Sequence, residues 1–469
     1  MRRGAAGPAV AELADFASVC AEFPATTEGG ESTVTGEGAV ILRMSSTAPP
    51  ASGPRSRSAL AEVRTSPRLL VLMAALLPSA VAIGGLGVAR LAFANEAFGS
   101  ELGIGVLAWV GACVGAALAI PAGVIADLRD SRVVMAGATL VVGLGNLLLG
   151  VYLVIDGVQP WELVGAVMLD AAALAFIPAS QVRIQAALTP MNARGSADVI
   201  NLFRLSIGGV IGSLLTLWVQ DPTVIVTVSG VVCLATAMAI WLISPAVPGS
   251  GRPAGSRPSP SADRLELTRD GQQSQLTLRR VMAARSPLRA IIVIDLCLYF
   301  IIPTQMVNLL LVDRQITEAA GLLLALGMAG VLIGRGWPAF IGQPRSLRAA
   351  VAWAVAAGTV ILGLSAVLMV GDWLLDRPLL LAALIVCGSA VAAFVQCVLA
   401  AAVQQQVPDA IRGRLSGALW SGRLVLIAVS VAGAAYLVEH TDIAVYLAVL
   451  AVAFAGLLAV TRGLRGLRS

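Results

Sequence analysis

Charged residues stand inside apolar runs at six places: Arg90, Asp170, Arg204, Asp295, Arg335 and Arg423. An ionised group in hydrocarbon is costly, so each marks a candidate for carrying protons or binding a polar group. Asp170 lies nine residues after Trp161, about 14 Å along a helix and near the middle of a bilayer. A carboxylate at that depth suits proton exchange, provided it is reached from each side in turn. Asp295, six residues past Arg289, is expected nearer one surface and is the second candidate. Arg90 has two readings: it reaches up to the interface, or it counters Asp170 across a cavity. Arg335 is read as either a gate residue or an interfacial anchor. Arg204 and Arg423 are expected at a gate rather than at substrate. Gln305 and Asn308, three apart on one helical face, can bond a substrate or a neighbouring helix. His440, the only histidine, falls in a link and is expected to be exposed.

The densest charge lies in GVIADLRDSR, Gly123 to Arg132. Asp127, Arg129, Asp130 and Arg132 occupy six residues between two apolar runs. The arginines suit a membrane surface, whereas the acids need another reason. One is a latch, in which Asp127 accepts from Arg423 or Arg414, or caps the start of the apolar run 415–438, an end that favours anions. The other is a solvated turn that fixes a hairpin.

The elements that must position these residues are membrane helices. Of 469 residues, 58% are hydrophobic and 13% charged, with a mean hydropathy of +0.87. A soluble domain is about a quarter charged, so the expected solvent is a bilayer. Twelve runs are long enough to span it: 69–94, 103–126, 133–155, 161–182, 199–219, 223–244, 289–311, 319–342, 347–370, 379–403, 415–438 and 441–461. Alternate links carry the arginines (Arg129, Arg132, Arg183, Arg194, Arg345, Arg348, Arg412, Arg414), and the intervening set holds only Arg314 and Arg377. By the positive-inside rule both termini are cytoplasmic in a plasma-membrane protein. All 32 basic residues are arginine, and their scatter between apolar runs gives no face for nucleic acid. The six cysteines form no CxxC pair and read as small apolar side chains.

Residues 245–288, rich in Pro, Gly, Ser and Arg, read as a cytosolic linker dividing the spans six and six. Residues 1–66 read as a disordered cytosolic leader, with Met44 a candidate start of translation, and 463–469 as a cytosolic tail. The resulting fold class is all-α integral membrane, twelve transmembrane helices in two pseudo-symmetric six-helix bundles, 67–244 and 289–462. The halves echo each other. Pro190-Met-Asn-Ala-Arg194-Gly195 matches Pro408-Asp-Ala-Ile-Arg412-Gly413, Pro121-Ala122 matches Pro338-Ala339, and Arg204 matches Arg423. Such parallel repeats suit a transporter that rocks one half against the other around a midplane site.

Together these features resemble the major facilitator superfamily, whose signature after span two reads roughly G-x-x-x-D-R-x-G-R-R/K. Gly123, Asp127 and Arg132 match it, while Arg129 is displaced by one and Asp130 replaces a glycine. AFIPASQVRIQAALTPMNARGSADVINLFRLSIGGVIG and VQQQVPDAIRGRLSGALW resemble its macrolide-efflux and enterobactin-exporter branch. The antiporter signature expected in span five ends G-P-x-x-G-G, but here Gly212-Ser-Leu-Leu-Thr-Leu217 lacks the proline and the final glycines. The second-half copy of the charged link, Phe340 to Arg348, lacks its acid.

The resemblance implies a monomeric secondary transporter, without cofactor or metal, whose partners are a small-molecule substrate, protons and lipid. Export of amphipathic molecules by proton antiport is the leading expectation. The alternatives are a nutrient or metabolite importer of the same fold and a non-transporting scaffold. An ATP-driven pump is excluded by the absence of GxxxxGK[ST], and no DxD, HxxxD or HExxH motif supports a membrane enzyme.

Overall fold

The computed structural model describes residues 59–247 (apart from 65, 99–100, 158, 191–192 and 220), 286–301, 320–369 (apart from 342–343 and 345), 377–406, 412–440 and 443–461. These fall within one unit, Arg57–Ser469, and the described elements are all helical. In chain order they are α1 (Ala59–Val63), α2 (Pro67–Ala75), α3 (Leu77–Phe98), α4 (Glu101–Leu128), α5 (Ser131–Asp156), α6 (Pro160–Leu174), α7 (Phe176–Leu188), α8 (Arg194–Trp218) and α9 (Pro222–Ile243). The second half contains α10 (Ser286–Ile301), α11 (Ala320–Gly336), α12 (Leu347–Met369), α13 (Pro378–Gln406), α14 (Arg412–His440) and α15 (Ile443–Val460). Span one is α2 with α3, and span four is α6 with α7. Among the described residues nine spans are long and apolar enough to cross a membrane. Gln305, Asn308, most of the linker and Met44 lie outside the described residues.

The helix breaks have local causes. Pro78 has no N–H to give the preceding turn, and Leu76 separates α2 from α3. Pro338 acts likewise on α11, which widens into a π-helical turn over Trp337–Ile341. Proline opens α6 and α9, where its missing N–H is harmless. Side chains on the outer faces are apolar and uncovered, Val154 at 75% and Trp218 at 87% exposure among them, as lipid contact requires.

Glycines decide how closely the spans approach. On α8, Asn201, Arg204, Gly208 and Gly212 form one helical stripe towards α3. A Cβ on Gly84 would lie 2.9 Å from Gly209 Cα, and one on Gly208 would lie 2.6 Å from the Ala80 carbonyl carbon, so only small residues allow this crossing. The glycines of span five therefore serve the bundle even without the proline of the antiporter signature.

Two seams join the halves, and they are equivalents under the two-fold repeat of six spans read from the sequence. α4 packs along α14, and α8 packs along α11. In the first, Ser421 Oγ donates to the Ala116 carbonyl at 2.8 Å, and a Cβ on Gly417 would lie 3.2 Å from Gly123 Cα. In the second, Arg335 on α11 reaches α8, and Phe203 meets Phe340 edge-on with centroids 5.1 Å apart.

One part of the leader departs from its reading. Residues 59–63 form α1, with Ala59 at 2% and Val63 at 0% exposure. They pack with Ala197 and Ile200 of α8, Ala339 of the π-helical turn, and Cys397 and Ala401 of α13. The correction has a simple cause: Ala59, Leu60 and Val63 make an apolar face too short to register as a span, but a cleft between the halves covers it.

Candidate functional site

Three helices bring Arg90, Asn146 and Asp170 to one depth. Arg90 lies eight residues from the end of α3, Asn146 ten from the end of α5, and Asp170 ten after the start of α6. At about 1.5 Å per residue, each sits about 12–15 Å in from the arginine-poor ends. Arg90 Nη2 bonds and ion-pairs with Asp170 Oδ2, and also donates to Asn146 Oδ1 at 3.1 Å. Asn146 Nδ2 donates to Asp170 Oδ2 at 3.0 Å and to the Val142 carbonyl at 2.8 Å.

This polar layer lies between apolar ones. Phe93, Leu149, Leu163 and Val226 pack on the side nearer the arginine-poor ends, and Ala82, Val142, Ala173 and Cys233 on the other. The Asp170 side chain is 3% exposed, that of Arg90 18%. Desolvation opposes burial of both charges unless they pair and bond, which this arrangement accomplishes.

The second acid, Asp295 on α10, pairs with Arg423 on α14. Arg423 Nε and Nη2 both lie 2.8 Å from Asp295 Oδ2. The guanidinium also stands over the Tyr299 ring, 4.8 Å from its centroid. Asp295 Oδ1 is buried without a hydrogen-bond partner among the described residues.

At the arginine-rich end, Asp127 links both halves. Arg183 Nη1 on α7 lies 3.2 Å from Asp127 Oδ1 and donates to the Ala126 carbonyl at 2.6 Å. The backbone N–H of Arg414, in the first turn of α14, donates to Asp127 Oδ2 at 3.2 Å, with Arg414 Nε 3.7 Å away. An acid from one half thus caps a helix of the other, where the helix dipole favours negative charge.

A protein-family model described as Major Facilitator Superfamily matches residues 70–431. The chain belongs to the Major Facilitator Superfamily. Its members are transporters. No curated protein sequence matches the chain. Among solved structures, a human organic anion transporter is 17% identical, with a TM-score of 0.64, covering 84% of this chain and 99% of its own. The fucose transporter FucP in the outward conformation is 14% identical, with a TM-score of 0.60, covering 84% and 97%. A bacterial homologue of the iron transporter ferroportin in an outward-facing state is 12% identical, with a TM-score of 0.61, covering 85% and 99%. At these identities the likeness shows the superfamily fold.

Of the partners the sequence offered Asp127, Arg414 and the helix start that follows Arg412 are the ones it meets, and Arg423 is the one that needs correction. Arg423 is engaged with Asp295, and Arg183 joins Arg414 on Asp127. Arg414 and Arg423 are nine residues apart, which places them about 13 Å apart along α14 and on opposite faces. They cannot both meet one carboxylate. Asp130 is not at a seam between the halves: it caps α5 through the Arg132 N–H at 3.0 Å and accepts from the Val247 N–H at 3.1 Å. Arg132 lies 3.6 Å from Asp130 and over the Trp241 ring, and Arg129 is exposed. Asp130 and Arg132 therefore secure the hairpin and the chain leaving α9.

Arg204 also faces inward within its own half, against the gate expectation. It donates to Asn201 Oδ1 at 3.0 Å and to the Leu76 carbonyl at the α2–α3 break, and Gln181 joins the same amide at 2.6 Å. Its counterpart Arg423 holds a carboxylate, so the repeat preserves position but not partner. Arg335 crosses the second seam, with Nη1 3.0 Å from the Leu202 carbonyl and from Ser206 Oγ. Gly123 lies at the first seam, and Arg412 and Gly413 open α14. Among the described residues no three acidic, histidine or cysteine side chains converge as a metal site would require. Asn146, Arg183 and Tyr299 are the partners that site reading from the sequence missed. Asn146 left one signal, a lone amide in an apolar run.

Proposed function

We propose that the chain is a secondary exporter of small amphipathic molecules, drug-, antibiotic- or siderophore-like, driven by proton antiport across the plasma membrane. The observation that carries this reading is Asp170, a nearly inaccessible acid held by Arg90 and Asn146 between apolar layers. Protonation of that acid leaves Arg90 without its counter-charge, so proton and substrate binding at this layer are coupled through one ion pair. Asp295 with Arg423 is the second candidate couple.

The two seams support rocking of one six-helix bundle against the other, with the monomer closed at its arginine-rich, cytoplasmic face. Asp127 with Arg183 and Arg414 forms one latch of that closure, and Arg335 with Leu202 and Ser206 the other. Macrolide-efflux and enterobactin-exporter resemblance in spans four, five and eleven supports export. The missing antiporter proline in Gly212–Leu217 favours a second reading, import of a nutrient or metabolite by the same machinery, and a fucose:proton symporter shares this fold.

Proteoliposomes loaded with an amphipathic fluorescent dye and given an imposed pH gradient test the assignment. Asp170→Asn is expected to abolish gradient-driven dye movement while dye binding persists. Full pH-driven transport by Asp170→Asn overturns it and transfers the role to Asp295. The gradient polarity that accelerates transport separates export from import.

A further inference from the structure

Asn146 does more than fill space beside the ion pair. It is 1% exposed and makes three hydrogen bonds, with the cation, the anion and its own helix. The bond to the Val142 carbonyl, one turn back on α5, consumes one amide hydrogen and fixes the rotamer. The second hydrogen then points at Asp170 Oδ2, and the amide oxygen at Arg90 Nη2. The reversed amide would set N–H against guanidinium and oxygen against carboxylate, two repulsive contacts. Only one orientation is therefore compatible with both partners.

We propose that Asn146 is a positioning residue that sets the pH at which Asp170 exchanges its proton and keeps Arg90 in place while it does so. The amide N–H stabilises the carboxylate in its charged form, and its loss favours the neutral acid. The amide oxygen is a neutral acceptor that remains for Arg90 once Asp170 is protonated. Without it, the guanidinium would be left in the apolar layer with its principal partner neutralised. The groups facing Asp170 from its neighbouring helices are Arg90 on α3 and Asn146 on α5, with the Cys233 thiol of α9 in the apolar cluster of Val142 and Ala173 next to it. This inference rests on Asp170 being the proton site.

The test reads proton binding directly, with no substrate. Proteoliposomes holding the full chain are adsorbed on a solid-supported membrane, and charge displacement is recorded after pH jumps across a range of starting pH. The wild type is expected to give a transient with a defined pH midpoint that disappears in Asp170→Asn. In Asn146→Leu that midpoint is expected to move upward by about one pH unit or more, the effect of losing one hydrogen bond to a charged group. Asn146→Ser, which keeps a hydroxyl donor and acceptor, is expected between the two and serves should the leucine variant misfold. A midpoint unchanged in both variants overturns the role of Asn146 while leaving Asp170 as the proton site. A transient that survives in Asp170→Asn overturns the reading on which the inference rests, and this inference with it.

Discussion

Asp127 shows how a single carboxylate joins two halves of a chain. Its two oxygens divide the work, Oδ1 taking Arg183 of its own bundle and Oδ2 the first turn of α14. Removing one partner of a buried pair exposes the other to desolvation without compensation. A double-mutant cycle of unfolding in mixed micelles is expected to give a coupling of about 1 kcal/mol or more for Asp127→Asn with Arg183→Gln. The same cycle with Arg423→Gln is expected to be additive within about 0.5 kcal/mol. Equal coupling to Arg423 would contradict Arg183 and Arg414 as the partners of Asp127. Asp170 and Asp295 share the chemistry of Asp127 but not its architecture, since each pairs with an arginine of its own half.

At the scale of elements, periodicity explains both seams. On α14, Arg414, Gly417 and Ser421 fall on one stripe that meets α4, and Arg423 is about half a turn away, facing α10. On α8, Leu202, Ser206 and Gly209 face α11, whereas Asn201, Arg204, Gly208 and Gly212 face the helices of the first half. Across the end of the second seam lies α1, tied to α2 by a three-residue link and packed on Cys397 of the other half. Opening of that face must pull α1 from one of its two sides. Val63→Asp, or the milder Val63→Ser, is expected to raise the rate at which N-ethylmaleimide labels Cys397 about tenfold, because about 1.5 kcal/mol of valine burial is lost. Mass spectrometry of the purified full chain measures the rate. An unchanged rate in both variants, with Asp127→Asn as the opening control, would show that α1 does not hold the closed face.

For the whole molecule, the asymmetry of arginine predicts which face meets the cytoplasm. Gln159 precedes α6 at the arginine-poor face and Arg129 follows α4 at the other, and both are exposed. In a cysteine-free background, Gln159→Cys is expected to react with an impermeant maleimide in intact cells. Arg129→Cys is expected to react only after permeabilisation. Reaction of Arg129→Cys in intact cells would reverse the orientation and with it the assignment of the closed face.

The sequence by itself determined the helical membrane fold, and it marks twelve candidate spans and a repeat, nine spans lying among the described residues. Their signals are local: runs of apolar residues long enough for a bilayer, arginine in alternate links, and Pro121, Arg194 and Arg204 echoed about 218 residues later. It also singled out Asp170, Asp295 and Asp127, because charge inside an apolar run is conspicuous without coordinates. Partnership needed the tertiary structure. Which arginine meets which acid depends on helix rotation and on depth across elements tens to hundreds of residues apart, and one hundred degrees per residue is enough to turn Arg423 from Asp127 to Asp295. The role of α1 was equally illegible, since five residues acquire a buried face only when two bundles close around them. Asn146 stood in the sequence as one amide among leucines and glycines. Three helices converging at one depth made it the residue that touches both charges.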